Sequence, residues 1–179
     1  AHPPCERWGR YWSGGPSCHG TKKLGDDNGC FEAALASVRR WGGVLEHPAD
    51  SHAWRAFGLL APPRNGGWVS AGDWRGWTCC VEQGHYGHLA RKATWLYAVG
   101  CDLPELKWGK SEAKMRLDDG FHTTEERRRA VRRGVAPRLP AKQSAVTPQP
   151  FRDLLIAMAR SACTAPAAAS LAATAEASP

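Results

Sequence analysis

Apolar residues recur at Phe31, Leu35, Val38 and Trp41, spaced by four, three and three positions. That rhythm predicts an amphipathic helix over residues 28–41 with one buried face. Asp26 and Asp27 stand where caps belong, and Arg39 and Arg40 fall in the last turn, where cations complement the helix dipole. Gly42 and Gly43 end the helix, and Val44-Leu45-Glu46 reads as a short buried strand that stops at His47-Pro48. Residues 50–60 predict a short helix with Trp54 and Phe57 on one side, and residues 61–76, rich in Pro and Gly, a loop. Residues 77–83 (WTCCVEQ) and 93–99 (ATWLYAV) predict two strands, and the nine residues between them suit an antiparallel pair. Residues 124–133 (TEERRRAVRR) predict a helix with a Thr124 cap, early glutamates and late arginines. Residues 147–162 predict another, capped by Thr147 with Pro148 at its first position and Phe151, Leu154, Leu155 and Met158 as its apolar face.

The chain therefore divides into a catalytic-type α/β region (1–109), a basic irregular segment with a short helix (110–146), a helix packing on the core (147–162) and an Ala- and Ser-rich tail (163–179) expected to be disordered. With 42% hydrophobic residues in 179, one core is affordable. No apolar run reaches membrane-spanning length and no signal peptide is visible, so a cytoplasmic setting is expected. Seven cysteines without regular spacing read as reduced thiols. A net charge of +7 favours a polyanionic partner, and nine tryptophans leave some rings over for stacking on bases.

Candidate chemistry starts at the first twelve residues, AHPPCERWGRYW. Pro3 and Pro4 fix the backbone ahead of Cys5. A nucleophilic cysteine needs a rigid mount and a way to become thiolate, which Arg7, Arg10 and a following helix N-terminus could favour. Residues 13–25 (SGGPSCHGTKKLG) read as a mobile loop. Glu46, at the carboxyl end of a strand, lies where open α/β sheets bind ligands. The connection from Gly84 to Lys92 is polar and basic.

This order of motifs resembles the cytosine-5 DNA methyltransferases, in particular short phage-borne relatives. Pro4-Cys5-Glu6 stands where that family has Pro-Cys-Gln, and Asn28-Gly29-Cys30-Phe31 where it has Gly-Thr-Leu-Phe. Glu46-His47-Pro48 stands for Glu-Asn-Val, and residues 86–94 follow its Tyr-Gly and basic motif loosely. The His-Pro-Pro-Cys run at His2 to Cys5 and the Gly87, Lys92 and Thr94 spacing fit the phage relatives more closely. The likeness covers about residues 1–100; Glu6 and Pro48 depart from it, and the Gln and second Arg of the basic motif are absent.

The resemblance implies a Rossmann-like S-adenosylmethionine-dependent methyltransferase fold, catalytic part, with the N-terminal cofactor-binding strands missing from this chain, which is therefore expected to be a fragment. It implies methyl transfer from S-adenosylmethionine to cytosine C5 in double-stranded DNA. Cys5 would attack C6 and Glu46 would contact N3 and the exocyclic amine, holding or sharing a proton. Lys92, with Arg91, would take the place of the family arginine, and Thr94 would orient the set. The target base must be flipped out of the duplex. The loop carrying Ser13, Lys22 and Lys23 would close over it, with Pro4, Arg7, His85 and His88 as further substrate or DNA contacts. Phage DNA modification or restriction-modification is the corresponding role.

Three other readings stand beside this one. An amino-methyltransferase would carry Asp/Asn/Ser-Pro-Pro-aromatic where His2 to Cys5 stand. A zinc-stabilised nucleic-acid-binding module would draw ligands from Cys18, His19, Cys79, Cys80, His85 and His88, although paired Cys-X₂₋₄-Cys spacing is absent and no metal is expected. A methyltransferase relic would bind DNA without turnover.

Overall fold

The computed structural model describes residues 1–9, 23–117 and 123–164. Ser13, Lys22, Arg10, the Cys18-His19 pair and most of the C-terminal tail lie outside the described residues.

Among the described residues the elements run α1 (Cys30–Trp41), β1 (Gly43–Pro48), α2 (His52–Ala56), β2 (Val69–Ser70), β3 (Trp77–Glu82), a 3₁₀ turn (Gln83–Tyr86), β4 (Ala93–Val99), α3 (Thr124–Arg132), α4 (Ala141–Ser144) and α5 (Gln149–Thr164). The four strands form one sheet in the order β1-β4-β3-β2, each antiparallel to its neighbour. The antiparallel pairing of residues 77–82 with 93–99 is thus present, with Cys79 opposite Leu96. β1 and β3 consequently point the same way, with β4 reversed between them. Their carboxyl ends and the amino end of β4 meet at one edge, which is where ligands enter open α/β sheets.

β1, β3 and β4 are buried on both faces, as their near-continuous apolar runs require. One face carries Leu45, Cys80, Trp95 and Tyr97 and packs on Phe31, Leu35 and Val38 of α1 and on Trp54 of α2. The other carries Val44, Cys79, Val81, Leu96 and Ala98 under Phe151 and Met158 of α5. The adjacent thiols of Cys79 and Cys80 therefore lie in different cores and cannot share a metal. Among the described residues no group of His, Cys, Asp and Glu is arranged to hold one.

The departures from the expected boundaries have local causes. Asn28 and Gly29 are left-handed, with φ of 56° and 74°, so α1 starts at Cys30 rather than at 28. Asp27 still caps it, its carboxylate accepting from the backbone N–H of Gly29 and Phe31. Left-handed Asp50 and Gly58 bracket α2, which Ser51 caps, and so it is shorter than 50–60. α3 is capped by Thr123 rather than Thr124, through a capping box with Glu126. Prolines 148 and 150 lack N–H groups, and α5 is counted from Gln149 rather than from 147. β2, a two-residue strand, lies within the stretch expected to be loop. No helix among the described residues is long and apolar enough to cross a membrane.

Candidate active site

Ala1 joins the outer edge of β1. Its N-terminal nitrogen donates to the Val44 carbonyl at 2.6 Å, and the Glu46 N–H donates back to the Ala1 carbonyl at 2.9 Å. This is the bonding of a parallel neighbour. It brings the chain that follows, His2 to Cys5, past the carboxyl end of β1. Pro3 is buried and Pro4 exposed.

The prolines are not the only mount for Cys5. Its carbonyl accepts from the N–H groups of Trp8 and Gly9, closing a helical turn. Trp8 then anchors that turn. Its indole N–H donates to Asp27 at 2.7 Å, its ring meets Phe31 and Phe57 at 5.8 and 5.7 Å, and its carbonyl accepts from His52. The position of Cys5 is thus set by the same carboxylate that caps α1.

Glu46 is only 2% exposed. One carboxylate oxygen lies 2.6 Å from His2 Nε2; the other accepts from Gln83 Nε2 at 3.2 Å. Gln83 Nε2 also donates to Thr94 Oγ1 at 2.9 Å, and Thr94 reaches back to the Lys92 carbonyl at 3.3 Å. Gln83 Nε2 thus bridges Thr94 to Glu46. The Gln83 side-chain oxygen is buried without a hydrogen-bond partner among the described residues. His2 is raised above the ordinary histidine range, chiefly by its hydrogen bond to Glu46.

Cys5 and Lys92 both feel the Glu46 charge. The Cys5 thiol is pushed up, first by burial and then by Glu46, with Lys92 opposing. The expected thiolate-favouring environment is therefore not what surrounds it. Burial outweighs the cations, and Arg7 is half-buried, with its Nη1 shielded from solvent. Lys92 is pushed down by burial, with Glu46 and Cys5 opposing. Its ammonium donates to the Ala145 and Val146 carbonyls at 3.3 and 3.0 Å, which ties the approach to α5 against the site. Lys92 also has a φ of 34°, an uncommon backbone setting for a residue with a side chain.

Lys92 and Arg91 line one end of a cleft of about 950 Å³ whose other basic walls are Lys110, Lys114 and Arg116. Arg91 is exposed there. Lys23 is also exposed. The two histidines of the 84–92 connection do not face this space as DNA contacts would. His88 is buried, with Nδ1 against the Ala90 backbone, and His85 Nε2 is 3.2 Å from the Gly109 carbonyl. Both serve the loop's own packing.

The residues that sequence reasoning missed are His2, Gln83 and His47. His47 is fully buried, 5.2 Å edge-on from Phe31, and neither ring nitrogen makes a well-formed hydrogen bond among the described residues. Burial pushes it down to about 4, against the favourable field of Glu46 and the Pro4 carbonyl. The unfolded chain binds a proton near 6.5 that the folded chain refuses until about 4. Stability therefore falls as pH falls through that window, by on the order of 3 kcal/mol. His2 has the opposite sign: its contribution is complete below its unfolded value and is lost as pH rises through its raised folded value. Exposure screens the His2 contribution. Urea unfolding at pH 7 and pH 5 is expected to show the loss in wild type, and His47→Leu is expected to remove most of it.

No protein-family model, no curated protein and no solved structure matches this chain.

Proposed function

We propose that the chain is a cytosine-5 DNA methyltransferase-like protein and that this site adds Cys5 to C6 of a flipped-out cytosine. One observation carries the reading. A cysteine, a buried carboxylate and a half-buried ammonium meet where the carboxyl end of β1 adjoins the amino end of β4, beside a basic cleft. This reading takes the sheet as the catalytic part of a Rossmann-like fold.

Cytosine C6 accepts a thiolate only if the charge entering the ring is met. The Sγ–C6 bond forms as the C5–C6 π pair moves toward C5 and the ring nitrogen N3 gains a proton. Glu46, with its close contact to His2, is placed to hand that proton over. His2 covers the carboxylate but is itself 61% exposed, so a ring reaches Glu46 by displacing it, and the departing imidazolium leaves its proton on Glu46 for N3. Lys92 supplies positive charge at the same corner, and the cleft lysines and arginines suit phosphates. In the adduct C5 is enamine-like and takes a proton from water. Loss of the original C5 proton to water, and then of the thiolate as N3 returns its proton to Glu46, restores cytosine.

The described residues do not fit S-adenosylmethionine. No strand among them runs into a glycine-rich turn and a helix, and at the turn after β3 a side chain on Gly84 would collide with Ser111, so protein fills that space. The chemistry assigned to these residues therefore stops at the covalent adduct and its reversal.

The test is release of tritium from C5 of cytosine in duplex DNA incubated with the protein alone. Release is expected from wild type and none from Cys5→Ala. Because the thiol sits above its ordinary value, the reactive fraction grows with pH, and the rate should climb about tenfold per pH unit between roughly 6.5 and 8.5. A flat profile would mean that the thiolate is already formed.

A further inference from the structure

The sheet's other end carries a surface that the candidate site does not use. α1 ends in Arg39-Arg40-Trp41, and the turn between β2 and β3 presents Asp73-Trp74-Arg75. The two meet across a cleft of about 510 Å³ whose walls include Arg39, Arg40, Asp73 and Arg75. Trp41 is 72% exposed and Trp74 fully so. The Arg40 guanidinium stacks 4.8 Å from the Trp41 ring centre and covers one of its faces.

The turn holding Trp74 is rigidly built. Asp73 accepts from Arg39 Nη2 at 2.8 Å and from the Tyr97 hydroxyl at 2.6 Å. Its other oxygen accepts from the backbone N–H of Arg75 and Gly76. Gly76 is so close to the Tyr97 ring that any side chain there would collide with it. Yet at the tip of this framework, fully exposed to water, stands an indole with a φ of 63°. Left-handed backbone is costly for a bulky residue, and nothing in the fold's packing uses the ring. A large apolar ring held rigidly in solvent at a backbone cost is the arrangement of a preorganised contact.

We propose that this surface binds single-stranded nucleic acid, with bases stacked on Trp74 and Trp41 and phosphates held by Arg40 and Arg75. The charge selects the occupant. Arg40 stacks on Trp41 and Arg75 follows Trp74 in the chain, on a protein of net charge +7, which suits a polyanion with aromatic faces better than an apolar protein surface. Open ring faces need unstacked bases, which favours a single strand over a duplex. The inference does not depend on the chemistry at Cys5.

The experiment is fluorescence anisotropy of a labelled oligothymidylate of about 15 nucleotides with the full chain. Wild type is expected to bind. Trp74→Gly is expected to weaken binding about tenfold or more while raising the melting temperature, because glycine accepts the left-handed backbone. Trp74→Phe should keep most of the affinity, and Arg75→Ala should lower the slope of log K against log salt by about 0.7. Trp74→Gly within twofold of wild type, or no binding by wild type, would overturn the proposal. Wild-type self-association lost in Trp74→Gly, without oligonucleotide binding, would overturn it in favour of a protein interface.

Discussion

Glu46→Gln is expected to cut C5 proton exchange by about a thousandfold while making Cys5 more reactive toward a small alkylating agent. The two effects have one origin. In the proposed reaction the buried Glu46 meets the charge entering the ring, and its charge also holds the Cys5 thiol up. The amide keeps the shape of the side chain and removes both functions. Exchange therefore falls, and iodoacetamide modification at pH 7.5, read by intact mass, rises. If exchange and alkylation fell together, the substitution would have disturbed the turn at Cys5 rather than the chemistry. If neither moved, Glu46 would have no part in the site.

Asp27→Ala is expected to be the most damaging substitution outside the hydrophobic core. Its carboxylate receives the Trp8 indole N–H and the two N–H groups that open α1. Loss of the cap costs about 0.5–2 kcal/mol, and stranding a buried indole N–H about 1–3 kcal/mol. Together these amount to about 1.5–5 kcal/mol, or a fall in melting temperature of roughly 3–20 °C for a domain of this size. The damage should reach the site, because Trp8 anchors the turn that Cys5 opens. Exchange activity measured well below the new melting temperature should fall as well. Asp27→Asn retains one acceptor oxygen and should show about half the thermal loss. Differential scanning calorimetry with the exchange assay reads both effects.

The parts of this molecule that were legible in the sequence are those specified by neighbours along the chain. The spacing of Phe31, Leu35, Val38 and Trp41 marks a buried helix face; the first three are buried in α1, while Trp41, in the last turn before Gly42, is 72% exposed. The apolar run at residues 93–99 is β4 residue for residue, because a strand covered on both faces has no polar interruption to blur its ends. The Thr123–Glu126 capping box was readable in the same way, from a Thr three positions before a Glu, but Thr124 drew the assignment one residue late.

The network around Glu46 was not legible. Gln83 meets Glu46 across 37 positions and Thr94 across 11, through pairings that exist only once β1, β3 and β4 share a sheet. Gln83 reads locally as nothing more than the last residue of a strand. His2 was visible as part of a motif, but its contact with Glu46 follows from Ala1 pairing along the edge of β1. His85 and His88, readable in a polar, basic connection as either structural or phosphate-facing, lie against the backbone carbonyls of Gly109 and Ala90. The thiol's environment also depends on burial, which a run of nearby arginines does not reveal.

The most direct test of the central claim is covalent capture at Cys5. The full chain would be incubated with duplex DNA carrying 5-azacytosine, whose ring nitrogen at position 5 makes C6 more electrophilic, and read by intact mass and peptide mapping. The account predicts a one-to-one adduct on the peptide containing Cys5, and none in Cys5→Ala. Binding of that DNA with no adduct, or an adduct that persists in Cys5→Ala, would contradict it.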